Sequence, residues 1–356
     1  MKPNKKQQEA IDYVVSMGTG RVAYIDGEAG SGKSFTIDQI ASQINNLLKC
    51  AFTGNAAQNI NGVTFHSLFK IPAGYIWNPE QTFGDYRRYM FGKYGVSTSY
   101  RFHKRVKDVF VGAPMIVVDE APNASCYMID HADWTLRWAL DKPEVPFGGM
   151  PMVFSGDRGQ LQPVINHQDE SLLKSYGYKP PYDFLEAKVW QRCGMKRLHL
   201  TDLMRQTNRI EGNLLSRLRT GSQLDSDLEM LNRNVTSVPP MGARVITVLN
   251  RQARSINEAM LKRETGKEFA FEEDRTGIFL KQKKDAHGAF AKVLKLKIGC
   301  KVVIKVNGKC KSNGEEVSYV NGDTGTFEGI DKHDRLMVQL SCGTMLYINK
   351  HKYEDA

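Results

Sequence analysis

The chain has 356 residues, enough for about two or three domains, and 41% of them are hydrophobic, so each domain can fill a core. The formal net charge of +10 favours a polyanionic partner such as nucleic acid, although a basic surface can also serve solubility alone. The sequence contains no Cys-x-x-Cys pair, no Cys/His group with zinc spacing, no signal-peptide core and no apolar run long enough for a membrane span. We therefore expect a protein of a reducing compartment, without a zinc site or a membrane segment.

The first half of the chain alternates between helical and strand patterns. Apolar residues recur at helical spacing in some segments, and short continuous apolar runs mark others as buried strands. The predicted elements are helices over 7–17 and 34–48, and strands over 21–27, 50–54, 113–121 and 150–157. Such an alternation predicts an α/β fold with a parallel sheet, in which ligands bind at the carboxyl ends of the strands.

The pattern changes further along the chain. Residues 70–112 are rich in aromatic and basic side chains and predict an insertion with its own small structure. A second α/β region begins with a predicted strand and helix over 243–261. After residue 292 short strands alternate, and Asn-Gly turns separate some of them, which predicts a small all-β barrel.

The sequence GEAGSGKS, residues 27–34, matches the phosphate-binding pattern G-x-x-x-x-G-K-[ST] between a predicted strand and a predicted helix. Lys33 is expected to reach the β- and γ-phosphates of a nucleotide, and the Ser34 hydroxyl to bind Mg²⁺. Three glycines allow backbone N–H groups to wrap around the phosphates, namely Gly27, Gly30 and Gly32. The alternative, a chance glycine-rich turn, is disfavoured by the strand–loop–helix context.

Two adjacent acids end the apolar strand of MIVVDEA, residues 115–121. Asp119 is expected to hold Mg²⁺, directly or through water, and Glu120 to polarise the water that attacks the γ-phosphate. The same two acids could instead cap the N-terminus of a helix.

The sequence GDRGQLQPV, residues 156–164, follows another apolar run. At a third strand tip beside the phosphate loop, the amide of Gln160 would face the γ-phosphate or its water and report its presence. Asp157 is interpreted as a structural or metal-side acid. The alternative is a plain turn in which Asp157 caps backbone N–H groups.

These motifs, together with AFTGNAAQ, TFHSL and LTDLMRQ in the same order, resemble those of RecD-like superfamily 1B DNA helicases, a family that includes a small phage helicase. The resemblance is close from residue 1 to about residue 210 and weaker from there to the end. It implies a motor that uses ATP and Mg²⁺, moves 5′ to 3′ on single-stranded DNA and separates the strands of a duplex.

Several residue roles are implied by the resemblance alone. Gln7 would read the adenine, and Arg205 in LTDLMRQ would contact the γ-phosphate. Arg205 would thereby join Lys33, Glu120 and Gln160 in catalysis. The contacts to single-stranded DNA would come from Thr53, Asn55, Thr64 and His66.

The resemblance also implies a domain organisation. Residues 1–208 would form a RecA-like P-loop NTPase motor domain, and 70–112 would be an inserted subdomain that carries a strand-separating pin. Residues 209–291 would form part of a second RecA-like domain, and 292–356 an SH3-like β-barrel. No single aromatic in 70–112 is assigned as the pin, because packing inside the insertion explains each of them at least as well.

Three departures from the family pattern are expected to matter. Phe52 and Asn55 stand where the family usually has Pro and Lys, so one phosphate-binding cation is lost and the salt dependence of DNA binding should shrink slightly. Pro122 stands where the family usually has Ser, so this loop lacks a hydroxyl and an N–H group that could couple it to DNA. The family's last motifs, a His-Lys-x-Gln-Gly type and an Ala-x-Thr-Arg type with an arginine finger, do not occur before Ala356. We therefore expect an incomplete second motor domain that allows nucleotide and single-strand binding but no processive unwinding by this chain alone.

Three functions are compatible with the sequence. The first is a monomeric helicase motor that acts on single-stranded DNA and duplex junctions with replication or recombination proteins, in a bacterial or phage-infected cytoplasm. The second is an ATP-binding, single-stranded DNA-binding protein without motor activity, and the third is an RNA-directed helicase. ATP turnover stimulated by DNA distinguishes the first from the second, and an equal preference for RNA favours the third.

Overall fold

The computed structural model describes residues 2–71, 76, 78, 82–94, 96–202, 204, 209–236, 245–272, 293–312 and 314–350. The chain divides into two compact units, Met1–Arg233 and Asn234–Ala356. The helices that immediately follow residue 208 are grouped with the first unit. The domain boundaries expected from the sequence stay a prediction.

The first unit is built on a six-stranded sheet with the order β3-β2-β4-β5-β1-β6, and every pairing in it is parallel. The strands are β1 Val22–Gly27, β2 Leu48–Ala51, β3 Val63–Thr64, β4 Ile116–Asp119, β5 Met152–Gly156 and β6 Lys196–Leu200. The three central strands β4, β5 and β1 are buried along their whole length. The predicted α/β fold with a parallel sheet is therefore confirmed.

The first unit also contains helices, several of which pack on this sheet in two apolar clusters. Their bounds are α1 Lys5–Val15, α2 Lys33–Ala41, α3 Gly54–Asn59, α4 Phe65–Phe69, α5 Phe83–Tyr94, α6 Val96–Val111, α7 Cys126–Ala139, α8 His167–Ser175, α9 Arg209–Thr220 and α10 Asp225–Asn232. Successive residues of one strand enter different clusters: Tyr24 packs with α4 and α7, whereas Ile25 packs with α1 and α2. Each fully buried side chain of this kind stabilises the fold by about 1.5–3 kcal/mol. No helix in the described ranges has the length and apolar character of a membrane span.

The second helix is shorter than the sequence pattern predicts. A helix was expected over 34–48, but α2 ends at Ala41 and Leu48 already belongs to β2. Asn46 adopts a left-handed φ of 58°, a conformation that asparagine tolerates and that a helix excludes. Ile44 and Leu47 still pack against the core from this turn. Ile44 and Leu47 are therefore apolar because they are partly buried, and their spacing wrongly predicted a continuation of the helix.

The aromatic insertion contains the two helices α5 and α6. Tyr86 of α5 is fully buried, and its hydroxyl lies 2.7 Å from the Oγ1 atom of Thr135 in α7. Its ring also lies 5.6 Å from that of Trp134. Packing therefore explains Tyr86, in agreement with the interpretation that an aromatic of this segment need not be a pin. The side chains of Phe83 and Phe91 lie outside the described residues.

The second unit is rich in antiparallel strands. Its elements are α11 Asn250–Arg263, β7 Glu268–Glu272, β8 Val293–Lys297, β9 Lys301–Val303, β10 Gly308–Ser312, β11 Glu315–Tyr319, β12 Thr324–Ile330, β13 Leu336–Leu340 and β14 Met345–Ile348. A four-stranded sheet has the order β14-β13-β12-β9, and β7 pairs with β8 as β10 does with β11. The predicted β-rich tail is therefore present.

The predicted strand and helix over 243–261 are found only in part. The helix is α11, but the described residues 245–249 before it form no strand. Residues 243 and 244 lie outside the described part of the chain. Ile246 and Val248 are exposed, so the apolar run that suggested a strand is not paired in a sheet over these described positions.

Candidate functional site

The phosphate loop lies between the end of β1 at Gly27 and the start of α2 at Lys33. Gly30 and Gly32 have φ values of 89° and 84°, in the left-handed region that favours glycine. A Cβ atom on Gly32 would lie 2.3 Å from the Nε2 atom of Gln7, so a side chain would also collide there. The glycines of the predicted motif are therefore required by backbone conformation and by close packing.

Lys33 lies inside this loop. Its Nζ atom donates hydrogen bonds to the carbonyl oxygens of Gly27 at 2.8 Å and Glu28 at 3.1 Å. Burial lowers the pKa of Lys33, while the neighbouring carboxylates, Asp157 foremost, raise it. The nearby acids thus help to keep the ammonium charged, as an interaction with phosphate requires.

The two acids of the second motif lie at the end of β4. Asp119 is buried, and its Oδ1 atom accepts the N–H of Glu120 at 3.0 Å. Glu120 is half-buried and has a left-handed φ of 54°, which costs about 1–3 kcal/mol for a non-glycine residue. Burial raises the pKa of both carboxyl groups, and the charge of Asp119 raises that of Glu120 further. A strained residue with a raised pKa is suited to accept a proton.

The capping interpretation of these acids has no support at Glu120. Within the described residues, its carboxylate makes no capping hydrogen bond to the short 3₁₀ helix Ala121–Asn123 that follows. The ring of Pro122 in that helix instead packs against the tip of β5. A Cβ atom on Gly156 would lie 2.2 Å from the Cδ atom of Pro122.

Asp157 lies just beyond β5, at the start of the loop over residues 157–164 that carries Gln160, here called the Gln160 loop. It connects this loop with the phosphate loop. It is 2% exposed, and its Oδ2 atom accepts the N–H of Ala29 at 3.1 Å. Its Oδ1 atom accepts the N–H of Gly159 at 2.8 Å and hydrogen bonds from Arg219. Asp157 thus caps backbone groups on two loops at once. Arg219 lies in none of the sequence motifs that predict the site.

An open cleft of about 600 Å³ links the nucleotide motifs with one of the predicted DNA contacts. It is lined by Thr53, Ala56, Glu120, Asn123, Gly159, Gln160 and Leu161. The structure therefore brings Glu120, Gln160 and Thr53 to one surface.

Two of the predicted DNA-contact residues are helix caps. The Oγ1 atom of Thr53 accepts the N–H of Ala56 at 3.2 Å at the start of α3, and that of Thr64 accepts the N–H of Ser67 at 3.3 Å at the start of α4. Since a capping hydroxyl uses only its oxygen, its proton can still be donated to a phosphate. A structural role and a DNA contact are therefore compatible at both positions.

The other predicted contacts are described less fully. His66 in α4 is half-buried, and burial lowers its pKa, which favours the neutral imidazole. Asn55 belongs to α3, but its side chain lies outside the described residues, as does the whole of Arg205. The neighbouring Met204 is described, and its N–H donates to the Gly30 carbonyl at 2.7 Å, so Met204 itself lies against the phosphate loop.

Gln7 is held against the phosphate loop. Its Nε2 atom donates to the Ser31 carbonyl at 3.1 Å, and its Oε1 atom accepts the N–H of Asn4 at 2.9 Å. It is only 1% exposed. Both polar atoms of the side chain therefore already have a hydrogen-bond partner in the protein. The predicted contact of Gln7 with adenine stays a prediction.

The expected Mg²⁺ ligands fit a magnesium ion that is held mainly by its nucleotide. Among the described residues, no group of three or more His, Cys, Asp or Glu side chains could hold a metal. Ser34 and Asp119 offer one hydroxyl and one carboxylate, which are hard oxygen donors. Mg²⁺ commonly takes one or two such ligands from the protein and the rest from phosphates and water.

Comparison with known proteins gives a consistent set of relatives. The chain is 24% identical over 359 aligned positions to the human ATP-dependent DNA helicase PIF1, covering 99% of this chain and 51% of the human protein. It is 23% identical over 330 positions to the yeast ATP-dependent DNA helicase RRM3, covering 90% of this chain and 41% of that protein. The chain thus spans about half the length of the curated relatives it matches.

Solved structures share the fold. A crystal structure of Bacteroides Pif1 bound to single-stranded DNA matches with a TM-score of 0.74 at 24% identity, covering 98% of this chain and 74% of that one. A Pif1 structure described as unwinding forked double-stranded DNA matches with a TM-score of 0.73 at 22% identity, covering 98% and 76%. The family model of PIF1-like helicases matches residues 2–83 and 96–223, more than half of the sequence. The chain therefore belongs to the PIF1-like helicase family.

Proposed function

We propose that this chain is an ATP-driven helicase motor that acts on single-stranded DNA. The observation that carries the proposal is the convergence of three strand tips. Three observations support it: β1 leads into the loop that carries Lys33, Glu120 follows β4, and Gln160 follows β5 and lines one cleft with Glu120 and Thr53. A nucleotide site that shares a cleft with a DNA-contact loop is what coupling of the two ligands requires.

The chemistry of the site follows from these residues. Lys33 and the backbone N–H groups of the phosphate loop bind the β- and γ-phosphates of ATP. Glu120 accepts the proton of a water whose oxygen attacks the γ-phosphorus, and the bond to the β-phosphate oxygen breaks to leave ADP. Ser34 and Asp119 would hold Mg²⁺, which neutralises charge on the phosphates. We assign the γ-phosphate contact from the second side to Arg205.

The coupling to DNA is assigned to the cleft. Gln160 lies on the loop that Asp157 fastens to the phosphate loop, and it lines the same cleft as Thr53 at the cap of α3. A γ-phosphate that repositions Gln160 therefore changes the surface next to the DNA contact. DNA that orders Thr53 changes the same cleft from the other side.

The finer features of the activity rest on the resemblance to RecD-like superfamily 1B helicases. They are 5′ to 3′ movement, action at duplex junctions, a monomeric motor, and a role with replication or recombination proteins. Adenine recognition by Gln7 and DNA contacts by Asn55, Thr64 and His66 belong to the same proposal.

The test is ATP turnover by this chain with and without a single-stranded oligodeoxythymidine. Stimulation well above the basal rate supports the motor, and Glu120→Gln should abolish it without loss of nucleotide binding. If the chain binds ATP and the oligonucleotide but turnover does not rise, the motor function is wrong and a non-motor, ATP-dependent DNA-binding protein is indicated. An oligoribonucleotide of equal length that stimulates equally would indicate RNA as the substrate instead.

A further inference from the structure

Helix α9 contacts two carboxylates at the phosphate loop, those of Glu28 within the loop and Asp157 beside it. Arg219 donates from Nε at 3.1 Å and from Nη2 at 2.6 Å to the Oδ1 atom of Asp157. Its Nη1 atom lies 3.7 Å from the Oε1 atom of Glu28, which also accepts a hydrogen bond from the Ser216 hydroxyl at 3.0 Å. Because Ser216 and Arg219 are one helical turn apart, a single face of α9 contacts this edge of the site.

Arg219 also lies directly on the loop that carries Gln160. A Cβ atom on Gly159 would lie 2.3 Å from its Nε atom. The same guanidinium therefore touches the residue before Gln160 and, through Asp157, the backbone of Ala29 in the phosphate loop. One side chain from a helix outside both loops therefore contacts both of them.

The charge of Arg219 helps to keep the buried carboxyl group of Asp157 ionised. Burial raises the pKa of Asp157, but the hydrogen bonds from Arg219 and from the Gly159 N–H hold it below its usual value. Asp157 is also the acid that most strongly supports the charge of Lys33. Without its partner, Asp157 would be an almost fully buried carboxylate bound only by backbone N–H groups, and such a group rearranges or takes up a proton.

We propose that Arg219 is a positioning residue for the ATPase: through Asp157 and Glu28 it holds the phosphate loop and the Gln160 loop in one fixed relation. This inference rests on the proposed function, since it concerns the rate of that reaction. Nucleotide binding depends on Lys33 and the loop N–H groups, which Arg219 does not replace. Loss of Arg219 therefore lowers kcat and its stimulation by DNA, with a smaller effect on KM for ATP.

The experiment compares Arg219→Gln with Arg217→Gln. Arg217 lies on the same helix and is similarly exposed, and it forms the same kind of ion pair, with its Nε atom 2.7 Å from the Oδ2 atom of Asp227. We expect Arg219→Gln to reduce DNA-stimulated kcat about 10- to 100-fold with KM for ATP within a few-fold, as for a misaligned catalytic group. Arg217→Gln should match the wild type in both constants.

Two further variants separate positioning from folding. Arg219→Lys keeps the positive charge but loses the pair of hydrogen bonds that Nε and Nη2 donate to Asp157, so it should recover part of the lost kcat. Asp157→Asn should cost less in the Arg219→Gln background than alone, because the two side chains act as one unit. Thermal unfolding of the two glutamine variants should coincide.

Three outcomes would overturn the proposal. If Arg219→Gln has the same kcat and DNA stimulation as Arg217→Gln, Arg219 does not position the loops. If KM for ATP rises while kcat is unchanged, Arg219 binds the nucleotide instead. If the wild-type chain shows no ATP turnover at all, the proposed function fails and this inference fails with it. If the wild type is active and Arg219→Gln has the same kinetics, only the inference about Arg219 fails.

Discussion

Asp119 and Asp157, on the nucleotide side of the first unit, are almost fully buried, whereas Thr53, on the side expected to meet DNA, is exposed. Asp157 accepts hydrogen bonds from three residues, but Thr53 and Thr64 each accept one backbone N–H. Buried, multiply bonded groups keep their geometry before a ligand arrives. Exposed caps retain a free donor and can adapt to one. Substitutions on the nucleotide side should therefore reduce ATP turnover strongly, and substitutions on the DNA side should reduce affinity for single-stranded DNA only slightly.

Lys33→Ala should have the largest effect. It removes the cation whose charge four nearby carboxylates support, and we expect ATP turnover to fall by about 10³-fold or more. Steady-state turnover and binding of a fluorescent ATP analogue measure the change. Affinity for single-stranded DNA, measured without nucleotide, should stay within a few-fold of wild type. A large loss of DNA affinity would break the distinction between the two sides.

Glu120→Gln should be nearly as severe for hydrolysis but not for binding. The amide preserves the shape of the side chain and cannot accept the proton, so we expect turnover to fall about 10²- to 10⁴-fold. Equilibrium ATP binding should persist. Turnover close to the wild-type rate would show that Glu120 does not accept the proton, and its left-handed backbone conformation would then have no catalytic explanation.

Gln160→Ala should act between the two sides. We expect about a 10-fold loss of DNA stimulation with little change in KM for ATP, because Gln160 lines the shared cleft. Gln162→Ala is the matched control, since this amide lies on the same loop and is also exposed but does not line the cleft. Equal turnover in both variants, with and without DNA, would rule out Gln160 as a sensor.

Thr64→Val should have the smallest effect. The loss of a cap hydrogen bond costs about 1 kcal/mol of stability, and loss of the hydroxyl should weaken DNA binding a few-fold. Thr64→Ser keeps the hydroxyl and is the control. Thermal unfolding and fluorescence anisotropy with an oligodeoxythymidine measure the two effects. If the two variants behave alike in the binding assay, Thr64 is a cap and not a DNA contact.

The sequence predicts those parts of the site that depend on local pattern. A buried strand, a glycine loop and a helix are adjacent in the chain, so the position of Lys33 follows from spacing, and that of Asp119 follows from its place at the end of an apolar run. The contact of Arg219 with Asp157 joins residues 62 positions apart, and no local periodicity reports it. The length of α2 was overestimated for a related reason: Ile44 and Leu47 are apolar because they reach the core from a turn.

Pro122 and Gly156 have a consequence for how this family can vary. The proline ring occupies the space that a side chain at position 156 would need, so the two positions should change together in evolution. A relative that carries Ser at the position of Pro122 lacks the ring atoms that lie nearest to such a Cβ atom, so Ala at the position of Gly156 would need only a small shift away from the backbone nitrogen of Ala121, 3.3 Å away. A relative that keeps the proline should keep the glycine. Correlated substitution at this pair would therefore mark which family members have the acid-bearing loop and the tip of β5 locked together.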